Sequence, residues 1–217
     1  MGEFNSDVVI PTLKLVVSIL EKNHISYRFI GSVIAAATNG ELHRNLGDID
    51  LIIDEKGKNT LYQALTKEGY YQVGGMFSIA RRFMSLETVR HQTLAEVGFF
   101  YGRFQPDGSI VMGGDHINVS VEAKALSPTK YSLHGISFTG VNPKAAATRI
   151  RASQANPKRK KELQFFKEKG IEPFPDTFVH VNIYGMRFDW MYQLFSTTQN
   201  IIGLVRLRFG LSFDPWR

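Results

Sequence analysis

The chain contains no cysteine, so no disulfide framework can staple it and no thiolate can ligate a metal. Any bound cation must be held by oxygen or imidazole, which favours a hard ion such as magnesium. Long apolar runs are also missing. The weakly charged stretch at 190–205 is interrupted by Gln193, Ser196, Thr197, Thr198, Gln199 and Asn200, which is too polar for a membrane span. The opening MGEFNSDVV has no basic segment leading into an apolar core, so no secretory signal is expected and a cytoplasmic location follows. Internal repeats and low-complexity tracts are absent as well.

What is there suits a folded protein. Hydrophobic residues make up 43% and charged residues 21% of 217 residues, enough for one sizeable domain with an appendage. Basic residues outnumber acidic ones, 26 against 20, for a net charge of +6. That excess points to a polyanionic partner: a nucleoside triphosphate, a nucleic acid or an acidic surface.

Along the chain, Leu13, Val16, Val17 and Leu20 recur on one helical face within 8–22, and the short apolar run YRFIG at 27–31 reads as a strand. The small-residue stretch at 32–40 reads as a helix with Ser32 as its N-cap. DIDLIID at 48–54 alternates like a strand, and 59–69 is helical with Gly69 as a stop. The segment 70–84 is left unassigned. From Thr93 a meander of strands is expected, through AEVGFFYGRF, SIVMGG and HINVSVEA. Helices are expected at 143–155 and at 157–169, the latter with Asn156 as cap, Pro157 at its first position and Gly170 as stop. IEPFPD at 171–176 reads as a linker. In the closing segment Leu194, Ile201, Leu204 and Leu207 would form one helical stripe, suited to core, a subunit contact in a homo-oligomer, or a membrane surface.

The informative window is 29–54. Asp48 and Asp50 lie two apart in a strand and so project from the same face, where their repulsion is relieved by a divalent cation that substrate phosphates share. Asp-x-Asp alone is a common pattern. Here it follows Gly31-Ser32 at a strand-to-helix turn, where glycine lets a phosphate approach the backbone and the helix N-terminus attracts its charge. The lone histidines His43, His91 and His116 are scattered and read as structural or exposed.

Gly31-Ser32, a helix, Arg44 and then Gly47-Asp48-Ile49-Asp50-Leu51 together resemble the signature of DNA polymerase β-like nucleotidyltransferases. Among these, the similarity is to the small enzymes that adenylylate lincosamide and aminoglycoside antibiotics. The resemblance runs from about residue 27 to 170, through GISFTGVNPKAA at 135–146 and PKRKKEL at 157–163. It implies an α/β fold, a mixed sheet flanked by helices, with a catalytic domain over 1–142 and a helical C-terminal region over 143–217. It implies magnesium or manganese on Asp48 and Asp50, and ATP or another nucleoside triphosphate held by Gly31, Ser32, Arg44 and Lys158. The family's third acid would be Glu96 as metal ligand or base, with Asp115 and Glu122 as rivals. Glutamate stands here for the family's aspartate, and Arg159 replaces the aspartate that follows the family's lysine. The implied activity is transfer of a nucleoside monophosphate, AMP first, to an acceptor hydroxyl on a small molecule. The alternatives are a tRNA or protein acceptor, or a member that only binds nucleotide or a partner.

Overall fold

The computed structural model describes residues 6–72, 85–152 and 157–191, and the side chains from 159 onward in the last span. Its strands form one mixed sheet. They are β1 (Tyr27–Ile30), β2 (Asp48–Asp54), β3 (Tyr71–Gln72), β4 (Leu86–Arg90), β5 (Glu96–Phe104), β6 (Ile110–Gly113), β7 (Ile117–Val121), β8 (Thr129–Leu133), β9 (Ile136–Gly140), β10 (Val179–Ile183) and β11 (Met186–Arg187). The order is β11-β10-β7-β6-β5-β2-β1-β9-β8, with β4 on the first half of β5 and β3 beside β4. Two pairings are parallel, β2 with β5 and β1 with β9, and the rest are antiparallel.

The helices are α1 (Ser6–Lys22), α2 (Ser32–Asn39), α3 (Lys58–Lys67), the short α4 (Ala123–Leu126), α5 (Pro143–Ala152) and α6 (Pro157–Glu168). The apolar spacing expected for α1 is the one it buries: Leu13, Val16 and Leu20 are fully covered, and the helix packs on α3 and β2. In β2 the alternation separates two faces. Ile49, Leu51 and Ile53 are fully buried, whereas Asp48 is exposed and Asp50 half-buried on the other side. Burial of the apolar face fixes the register, since a one-residue slip would push both acids into the core.

The C-terminal region opens with two helices, as expected, and α5 and α6 both pack on α2. It then adds strands beyond 171–176, where the sequence predicts a linker leading to an aromatic tail. Residues Val179 to Ile183 pair along the whole of β7, Val181 opposite Val119, so the sheet extends past residue 142. In the unassigned 70–84 segment, Tyr70 is buried and Tyr71–Gln72 is a strand on β4; residues 73–84, Asn156 and the expected stripe of Leu194, Ile201, Leu204 and Leu207 lie outside the described residues. No helix among the described residues is long and apolar enough to cross a membrane.

Candidate active site

Strand β1 runs into a turn at Gly31 whose φ of 72° and ψ of −144° suit glycine alone. This turn delivers the N-terminus of α2 beside β2, where Ile30 pairs with Asp50. Gly31, rather than Ser32, is the N-cap, and no side chain caps the helix. Ser32 is the first helical residue, and its hydroxyl turns instead to two arginines. It accepts from Arg44 Nη2 at 2.6 Å and from Arg159 Nη1 at 2.6 Å.

Those arginines are held by Glu162, which is fully buried. Glu162 Oε1 accepts from Arg44 Nε at 2.9 Å and Nη2 at 2.8 Å, and Oε2 accepts from Arg159 Nη1 at 2.7 Å. His43 Nε2 lies 3.4 Å from Oε1. Burial pushes the Glu162 carboxyl up, but the His43 hydrogen bond and the Arg159 and Arg44 charges outweigh it and hold it down at about 2. One buried carboxylate thus cross-braces α6 to the loop before β2 and leaves two guanidinium groups facing the Gly31-Ser32 turn. Arg44 lies at that turn, hydrogen-bonded to Ser32. Lys158's side chain lies outside the described residues, and its neighbour Arg159 is the α6 cation seen at the turn.

Sequence reasoning missed Glu162. The available signal was Arg159 and Glu162 at i and i+3 within PKRKKEL, a spacing that puts both on one helix face.

Asp48 and Asp50 share one face of β2, and the parallel neighbour β5 sets Glu96 directly opposite Asp48 and Gly98 opposite Asp50. Gly98 has to be a glycine, because a Cβ there would lie 2.7 Å from Asp50 Oδ1. A Cβ on Gly31 would lie 3.4 Å from Asp50 Oδ2. The Asp50 carboxylate is therefore cradled between two glycines. Burial and the neighbouring Asp48 push its pKa up to about 7, against the pull of Arg149 and Arg159. No described residue donates a hydrogen bond or forms an ion pair within 4.0 Å to either carboxylate. A hard cation would fit this donor set, two carboxylates of which one is costly to ionise without a counter-charge.

The third acid is less free. Arg90 donates to Glu96 Oε2 across the β4–β5 step, and among the described residues no three carboxylates or imidazoles converge into a preassembled metal cage. Of the rivals, Asp115 is exposed and 3.7 Å from Arg103. Glu122 is bound to Lys124 and to His180, each at 2.7 Å. Neither lies on the face shared by Asp48, Asp50 and Glu96. Asp107 builds the β5–β6 turn by accepting from Ser109. The histidines have structural partners: His43 packs edge-on against Phe165, His91 Nδ1 accepts from the backbone of Thr93 and Leu94, and His116 stacks on Tyr184.

This mixed sheet flanked by helices is a fold shared with solved nucleotidyltransferase structures. The solved structures it resembles include the lincosamide antibiotic adenylyltransferase LnuA bound to lincomycin, at a TM-score of 0.60 and 16% identity over 74% of this chain and 97% of that one. Another is ANT(2'')-Ia in complex with adenylyl-2''-tobramycin, at 0.56 and 8% identity over 91% and 98%. A third is an antigenic nucleotidyltransferase-like protein from Paracoccidioides brasiliensis, at 0.51 and 13% identity over 77% and 79%. Compared by sequence, the chain matches no family model and no curated protein.

Proposed function

We propose that the chain is a metal-dependent nucleotidyltransferase that moves a nucleoside monophosphate, AMP first, from a triphosphate to the hydroxyl of an acceptor. The observation that carries this reading is the position of Asp50, cradled between Gly31 and Gly98 with Asp48 on the same face. Asp48 and Asp50 would hold a magnesium or manganese ion, which when bound supplies charge neutralisation for the phosphates. The α2 N-terminus, Ser32, Arg44 and Arg159 would receive the triphosphate, with Lys158 as a further cation on α6. The acceptor oxygen bonds to the α-phosphorus as the bond from that phosphorus to the bridging oxygen breaks. Pyrophosphate leaves with the electron pair, and the hydroxyl proton passes to Glu96 or to water.

The test is incubation of the full-length protein with magnesium, radiolabelled ATP and candidate alcohols, following pyrophosphate and labelled product. Transfer by the wild type and none by Asp50→Ala is the expected result; wild-type turnover in that variant would sink the reading. The Arg90–Glu96 pair favours one other reading, a domain that binds nucleotide without transferring it. That reading expects a nucleotide-dependent rise in melting temperature with no pyrophosphate from any acceptor, RNA and protein included.

A further inference from the structure

The face that carries Asp48 and Asp50 continues along the same strands into an apolar cavity. Ile52 follows Asp50 on β2 and Phe100 follows Gly98 on β5, in the same alternation, and both line the cavity. Val119 and Val181 close it from the paired strands β7 and β10, and Ala146 closes it from α5. Gly31, which cradles the Asp50 carboxylate, is also part of its wall. The volume is about 290 Å3, at the lower edge of the roughly 300–1,000 Å3 usual for ligand pockets. The described wall contains no carboxylate, and its one charged side chain is Arg149, exposed, with its guanidinium 5.8 Å from the centre of the Phe100 ring.

We propose that this cavity is the acceptor subsite and that it takes an uncharged molecule with a hydroxyl group on an apolar body. The inference rests on the transferase reading above. Three observations select the occupant. The cavity shares the glycine wall of the acid that would face the reacting hydroxyl. A polyamino sugar would have to bury ammonium groups against hydrocarbon, beside Arg149, with no carboxylate to receive them. A purine base would bring ring nitrogens and an amine to a wall with almost no hydrogen-bonding partner. A neutral alcohol leaves no such group unmatched, and its apolar body gains from burial.

The experiment uses the full-length protein with naphthalenemethanol as the probe, by calorimetry and as acceptor in the labelled-ATP assay, with tobramycin and adenosine as comparators. Saturable binding of naphthalenemethanol, unaffected by adenosine, is expected, and label should pass to it in preference to tobramycin. Val181→Phe, which fills the cavity from β10, should weaken naphthalenemethanol binding by about tenfold or more while the apparent affinity for magnesium-ATP stays as in the wild type. Val181→Ala cannot crowd the site and should extend acceptance to the bulkier pyrenemethanol, so a misfolded filling variant does not decide the matter. Competition by adenosine would make the cavity a base site and overturn the proposal, as would absence of binding or equal binding by Val181→Phe. Binding with the expected response to Val181→Phe, but no label transfer to any alcohol, would instead remove the transferase reading and keep a neutral-ligand cavity.

Discussion

At the residue scale, Asp50, half-buried, and Glu162, fully buried, are two carboxylates with opposite fates. Asp50 in the metal-free protein is raised from 3.8 to about 7, so it favours folding only while protonated. That contribution is full below about 3.8 and is lost as the pH rises through 7. Asp50→Asn should therefore melt higher than the metal-free wild type at alkaline pH, by roughly 1–3 kcal/mol, with transfer abolished. Calorimetry with and without chelator checks this, and a variant that melts lower would show that the ionised acid is already compensated. Glu162 is lowered from 4.5 to about 2, so its stabilisation is present above 4.5 and disappears as the pH falls toward 2. Glu162→Gln should melt well below wild type at neutral pH, by about 3–5 kcal/mol, because two arginines lose their buried counter-charge. The gap should close across that acid window in a pH series of melts. For Glu96, Gln keeps the shape and removes the charge. Glu96→Gln is expected to lower turnover with magnesium-ATP affinity largely retained, and Glu122→Gln is expected not to. The reverse pattern in steady-state kinetics would move the third acid to β7's end.

At the element scale, the site depends on how closely β2 and β5 can lie with a carboxylate between them. Gly98→Ala places a methyl 2.7 Å from Asp50 Oδ1, a contact that cannot persist, so the carboxylate must turn away or the strands must separate. Activity should fall by about tenfold or more, and magnesium should raise the melting temperature less than in the wild type. Unchanged turnover would mean that Asp50 has another position from which to act. Helix α6 shows the same dependence from the other side. Its apolar periodicity is weak, and Leu163 and Phe166 are its main buried anchors, so the Glu162 network, which reaches His43 and Arg44 in the loop before β2 and through the arginines Ser32 on α2, helps orient it.

For the whole molecule, β10 decides how the C-terminal region belongs to the fold. It pairs with β7 over five residue positions, and Val179, Val181, Phe178 and Met191 close the apolar cavity. Cutting the chain after Asp176 would expose the edge of β7 and the cavity wall at once. The truncated protein is expected to aggregate or to melt much earlier, because a bare strand edge over apolar surface invites pairing with another chain. A soluble truncation with an unchanged melting temperature in light scattering and thermal denaturation would overturn that role.

The sequence by itself determined the local pieces: the α1 face, the alternation of β2, and the Gly31-Ser32 and Asp48-Ile49-Asp50 elements. Each is written in a short window by periodicity or by a conformation only glycine adopts. It also placed Glu96 correctly on the strand that turns at Asp107-Gly108, because strand and turn signals there are adjacent. Only the tertiary structure decided which distant residues meet. The pairing of β10 with β7, the room that Gly98, lacking a Cβ, leaves for Asp50, and the meeting of His43 and Arg44 with Glu162 join positions far apart in the chain. No local pattern encodes such contacts, because their energy comes from a sheet register and a shared buried charge that exist only once the chain has closed on itself.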